Sequence, residues 1–178
     1  ESPLDFVSDI ASCLDDEGIW HFEQSYMPSM LKTNSYDTIC HEHLEFYSLK
    51  VVKNMLNKLG LRIMDVQMNS INGGSFAVTA CKEKASYISN EPIINWLLNQ
   101  EDEMGLDTPK PYNEFAERAF KHKKNLVDLI DALVKDGKKV FGYGASTKGN
   151  VLLQFCNLTS KQIPYIAEVN EEKFGSYT

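Results

Sequence analysis

The stretch from Lys139 to Val169 constrains the fold most. Lys139 to Tyr143 reads as a strand, the glycine-bearing run Gly142-Tyr143-Gly144-Ala145-Ser146-Thr147-Lys148-Gly149 as a turn, the residues from there to Cys156 as a helix, and Tyr165 to Val169 as a second strand. Strand, turn, helix and strand in that order make a βαβ unit, which belongs to an α/β sheet with parallel strands. The turn lacks the Gly-Lys-Ser/Thr order of a Walker loop. It also misses the dinucleotide fingerprint, because Thr147 stands where the third glycine would be. Two glycines still let a ligand approach the backbone, and the helix that starts there directs N–H groups at an anion. Ser146, Thr147 and Lys148 add hydroxyls and a positive charge, so Gly142, Gly144, Ser146, Thr147, Lys148 and Asn150 form a candidate phosphate site. The same residues also suit a plain strand-to-helix turn with a surface lysine. Glu168, at the end of the next strand, stands where an acidic residue accepts from a ribose hydroxyl in dinucleotide folds.

The rest of the chain reads as alternating elements. Leu4, Phe6, Val7, Ile10, Ala11 and Leu14 recur at helical spacing after Ser2-Pro3. Ile19 to Phe22 is a short buried strand, and a helical turn follows Pro28. Ser48 caps a helix that carries Val51, Val52, Met55, Leu56 and Leu59 and stops at Gly60. Leu61 to Met68 alternates with a phase slip, which predicts a bulged strand. Asn72-Gly73-Gly74 turns it into a partner strand, Ser75 to Cys81, with Phe76 and Val78 on one face. Lys82 to Ser89 reads as a linker. A helix from Pro92 to about Gln100 and a longer one from Tyr112 to Val134 flank the prolines at 109 and 111. This order predicts two α/β domains, 1–84 and 85–178. It also fits a parallel sheet finished by an antiparallel hairpin, the way the second half of a class I methyltransferase domain ends.

The chain has 178 residues, four separated cysteines and a net charge of −7. Cys13, Cys40, Cys81 and Cys156 form no CxxC pair, which predicts reduced thiols in a cytoplasmic protein. The negative charge argues against a nucleic-acid partner, although Arg118 to Lys148 holds eight Lys or Arg against three Asp. No apolar run approaches a membrane span, so no membrane partner is expected. The chain opens on Glu1, not methionine, which predicts a fragment of something longer.

Three titratable residues stand together at His41-Glu42-His43, followed by Phe46 and Tyr47. Histidine exchanges protons near neutral pH, and an adjacent carboxylate can orient or charge-balance it. In extended backbone His41 and His43 point the same way with Glu42 opposite. That geometry could hold a metal, but no third ligand is evident and HExxH is absent, so no metal is assigned. A polar loop would also account for the run. Cys40 beside it reads as a small apolar filler.

Taken together, SPLDFVSDI, HEH followed by an aromatic and SL, INGGS, and GYGASTKGN resemble the sugar-nucleotide C-methyltransferases, in that family's order and over nearly the whole chain. Members use S-adenosylmethionine to methylate a carbon of a keto-deoxysugar carried on a nucleoside diphosphate. The resemblance implies an α/β fold: the second half of a class I methyltransferase Rossmann-like sheet, then part of a second Rossmann-like α/β domain. It implies a nucleoside-diphosphate sugar as the partner at the glycine turn. It implies His43 as the base that forms an enolate for attack on the sulfonium methyl, with Glu42 polarising it and His41 supporting. The cofactor's glycine-rich loop is not in this chain, so its cofactor-binding residues are unknown. Zinc belongs only to an N-terminal region that this chain lacks. One departure is Cys40, where the antibiotic-sugar enzymes have tyrosine. Two other classes fit the same residues: a sugar-nucleotide-binding module without catalysis, and a metal-assisted hydrolase using HEH.

Overall fold

The computed structural model describes residues 2–177, with Asn72 described by its backbone alone. They form a mixed α/β structure with two compact units. The first comprises the chain up to Thr33 together with Glu45–Tyr112, and the second comprises Asn34–Leu44 together with the chain from Asn113 onward.

The first unit is built on helix α1 (Pro3–Cys13), strand β1 (Ile19–Ser25), helix α2 (Met27–Thr33), helix α3 (Leu49–Lys58), strands β2 (Leu61–Asn69) and β3 (Ser75–Lys82), and helix α4 (Glu91–Met104). β2 and β3 form the expected antiparallel hairpin, joined by a 3₁₀ turn at Ile71–Gly73. The phase slip in β2 is a register shift between Ile63 and Asp65. Strand order is β1-β3-β2, with β3 antiparallel to both neighbours. β1 and β2 therefore run the same way, and the return strand of the hairpin lies between them.

β3 alternates Phe76, Val78 and Ala80 with Ser75, Ala77 and Cys81, and all six are buried. Successive strand residues face opposite sides, so both faces of β3 are covered. Phe76 and Val78 sit in a core with Leu49, Val52 and Leu56 of α3 and Ile94 and Leu97 of α4. The apolar positions of α3 recur at three- and four-residue spacing, which directs them at this core. β1 is more exposed than its apolar sequence suggests. Ile19 faces solvent, and the strand continues to Ser25.

The segment that composition marks as a linker, Lys82 to Ser89, is stitched to this unit. The Arg62 guanidinium donates to the backbone oxygens of Glu83 (3.2 Å), Ala85 (2.9 Å) and Tyr87 (2.5 Å) and to Ser89 Oγ (2.7 Å). The Glu17 carboxylate accepts from Ser86 N and Ser86 Oγ. A planar cation with five donors can satisfy several carbonyls of one irregular strand, so 82–89 needs no sheet partner to be held. The compact units accordingly do not divide at Ala85, where the sequence places the domain boundary.

The second unit contains most of helix α5 (Lys110–Lys135), strand β4 (Gly142–Tyr143), helix α6 (Thr147–Cys156) and strand β5 (Ile166–Ala167). β4 and β5 pair in parallel, so the expected βαβ unit is present with strands of two residues each. α5 starts two residues before the expected Tyr112, with Pro111 in its first turn, where a missing N–H is harmless. Among the described residues no helix is long and apolar enough to cross a membrane.

Candidate functional site

Chain direction changes at Asn34, whose φ of 59° ends α2 in the left-handed region that asparagine tolerates. A 3₁₀ turn at Tyr36–Thr38 follows, then a tight turn in which His43 N donates to Cys40 O at 3.1 Å. His41 and Glu42 occupy the middle of that turn. The segment is therefore a turn, as the polar-loop reading has it, and not the extended backbone in which His41 and His43 would share a face. A local N–H···O bond replaces the strand partner that an extended run would need.

The His41 side chain is 86% exposed, with Nε2 3.9 Å from Glu42 Oε1. His43 is half-buried. After the motif the chain returns to the first unit at Tyr47, whose O accepts from Met27 N at 2.9 Å. There a buried carboxylate does work that sequence reasoning missed. Glu101, 1% exposed, accepts from Leu49 N (2.6 Å), Lys50 N (2.9 Å) and Tyr26 Oη (2.8 Å). It satisfies two of the unpaired N–H groups that open α3 and faces the positive end of that helix. Ser48, the cap expected from sequence, also acts, accepting from Val51 N at 3.4 Å. Burial, with Glu101 next, pushes the Tyr26 phenol well above its ordinary range.

The glycine turn is held from below. Gly142 N donates to Tyr165 O and Gly144 N to Ala167 O, at 3.0 and 2.7 Å. A Cβ on Gly142 would lie 2.9 Å from Ile166 Cγ1, so the close approach of β4 to β5 requires glycine. Gly144 has φ +88°, which also favours glycine. Ser146 caps α6 by accepting from Gly149 N at 3.1 Å. Glu168 Oε2 accepts from Ala145 N (2.6 Å), and Oε1 from Val169 N (2.8 Å) and Asn170 N (3.0 Å). Lys173 Nζ donates to Ala145 O at 2.6 Å and lies 3.8 Å from Glu168 Oε2. The bonds from Asn170, Ala145 and Val169 hold the Glu168 carboxyl below the usual carboxylate range. Both its oxygens are engaged by the backbone, so Glu168 fastens the turn.

The two motifs meet in one cavity of the second unit, with a volume of about 680 Å³. Cys40 and His41 contribute from the HEH segment, Thr147 and Asn150 from the first turn of α6, and Tyr36, Phe115, Phe120 and Phe155 supply aromatic walls. Glu42, His43 and Lys148 do not line it, and neither do Gly142, Gly144, Ser146 and Glu168, which shape the turn behind Thr147. The aromatic walls escaped sequence reasoning because they come from three separate segments. Among the described residues no group of three or more His, Cys, Asp or Glu could hold a metal ion.

Comparison with known proteins decides the family. A family model described as the C-methyltransferase C-terminal domain matches residues 70–178. The chain belongs to the C-methyltransferase family. It is 32% identical over 169 residues to the C-methyltransferase NovU of Streptomyces niveus, an alignment that covers 95% of this chain and 40% of that protein. The chain thus spans less than half the length of this C-methyltransferase. The family match takes in β3, α5 and the whole glycine turn, while HEH lies outside it and inside the alignment with NovU.

Proposed function

We propose that this chain is the sugar-nucleotide-binding and proton-abstracting part of an S-adenosylmethionine-dependent C-methyltransferase that acts on a nucleoside-diphosphate keto-deoxysugar. The observation that carries the reading is the shared cavity: Cys40 and His41 on one wall, Thr147 and Asn150 on another. One motif supplies proton-transfer chemistry and the other the start of a helix with hydroxyl and amide side chains, and a phosphorylated carbon acid needs both.

The methyl donor that the family implies is S-adenosylmethionine. The groove of the first unit between Phe6, Trp20, Phe22, Tyr47 and Met55 is mostly apolar, with Ser2 and Gln24 as polar lining and no charged side chain in its wall. A sulfonium amino acid with ribose hydroxyls does not fit it. What the chain's own residues do is bind the nucleotide and move a proton. The diphosphate lies at the α6 N-terminus, with Ser146, Thr147 and Lys148 nearest and Glu168 holding the turn in place. The keto-sugar reaches into the aromatic cavity. A ketone acidifies the neighbouring C–H; His43, two residues beyond the cavity-lining His41, takes its role as the base for that proton from the family resemblance, with Glu42 polarising the imidazole and His41 lining the sugar's path. The half-burial of His43 suits a base sheltered from bulk water.

Exchange of the substrate's α-hydrogen with deuterated water, followed by NMR in the full-length protein, tests this. His43→Asn should slow exchange by about 10²–10⁴-fold, the usual cost of losing a general base. Glu42→Gln should cost less. Exchange at the wild-type rate in His43→Asn, with loss in His41→Asn, would move the base to His41.

A further inference from the structure

We propose that Tyr36 is a positioning residue that pins the HEH segment to the cavity wall through His122 of α5 and Phe155 of α6. The proposal rests on the functional reading above for its catalytic consequence, and on geometry alone for the pinning.

Four backbone bonds join residues of 34–43 to one another: Tyr36 N to Asn34 O, Thr38 N to Ser35 O, Ile39 N to Tyr36 O and His43 N to Cys40 O. They shape the segment and do not attach it to a helix. The buried Thr38 hydroxyl also turns inward, to Ser35 O at 2.7 Å. Tyr36 reaches outward. It is 6% exposed, and its hydroxyl is 2.8 Å from His122 Nδ1. Its ring packs against Phe155 with centroids 5.1 Å apart. Phe155 in turn packs on Phe120 at 5.5 Å and lies under Lys123 Nζ at 4.8 Å. One side chain thus meets both helices that line the cavity, one 3₁₀ turn before Cys40 and His41.

A tyrosine serving only as packing would be replaced by phenylalanine at little cost, because the ring stays. The hydroxyl bridge predicts otherwise, since a shift of Tyr36 is carried along the short segment to the histidines. Catalytic geometry is sensitive to such shifts.

The test uses the full-length protein and two readouts. In the first, N-ethylmaleimide labelling of Cys40 is followed by mass spectrometry against Cys13, which lies exposed in the other unit. Tyr36→Phe and His122→Leu should each speed Cys40 labelling about fivefold relative to Cys13, the effect of losing about one hydrogen bond. His122→Asn, which offers Oδ1 where Nδ1 was, should restore the wild-type rate. In the second, Tyr36→Phe should slow α-hydrogen exchange about fivefold at saturating nucleotide-sugar, with the half-saturating concentration unchanged. Wild-type labelling and exchange in Tyr36→Phe would overturn the proposal. A wild-type protein without exchange would sink the functional reading alone, and Cys40 labelling would still decide the pinning.

Discussion

Single side chains at two places carry more than their sequence neighbourhoods suggest. Glu101 looks like one more acid in the run Glu101-Asp102-Glu103, yet it is the buried one, and it collects three donors. Glu101→Gln would set an NH₂ group against one of those N–H groups. It should lower stability by about 1–3 kcal/mol in urea unfolding, against about 1 kcal/mol for Tyr26→Phe, which leaves the carboxylate fully served by the backbone. Glu168 supplies a pH dependence. Its folded-state pKa lies below the model-peptide value of 4.5, so its hold on the turn is full above that value and is lost as pH falls through the lower folded one. The Ala145 amide resonance should therefore stay constant from neutral pH down to about 5 and move only below it. An Ala145 shift centred near neutral pH would count against that assignment.

Elements follow their local signals where those signals are strong. The βαβ unit, the hairpin, the β2 irregularity and the ends of α3 and α6 all sit close to where spacing, glycine and capping residues place them. For α6, Ser146→Ala should cost about 1 kcal/mol of stability, the usual value of an N-cap. Gly144→Ala should also destabilise, by about 1 kcal/mol, because φ +88° suits glycine and no side-chain contact offsets the strain. Thermal unfolding of both variants checks this, and an unchanged melting temperature for Ser146→Ala would argue that the cap bond is not kept in solution. The linker read at 82–89 from its change of composition is fastened, because irregular backbone can be held by a side chain, here the Arg62 guanidinium. HEH keeps the loop character that the sequence also allows, closed by a backbone turn bond from His43 N.

At the scale of the whole molecule, burial is uneven. β3 is covered on both faces, whereas β4 and β5 are short, with Tyr143 of β4 exposed and exposed Phe141 and Tyr165 beside them. Opening free energy follows buried contact, so the amides of Phe76 to Cys81 should exchange slowest and those of Gly142 and Gly144 much faster. Hydrogen exchange by NMR reads both, and equal protection would show that the units open together. Phe76→Ala should cost about 3–5 kcal/mol, since the residue is fully buried in the sheet's central strand. What the sequence determined by itself is local: helix and strand periods, the glycine turn, the caps, and through its motifs the family. Those features arise from residues a few positions apart, whose backbone sterics and hydrogen bonds act without distant partners. Tertiary structure alone decided the rest. It placed Glu101 under α3, tied Tyr36 to His122, and brought Cys40 and His41 to the same cavity as Thr147 and Asn150. Each of these joins groups roughly 50 to 110 residues apart, and at that separation only packing of the whole chain selects the partner.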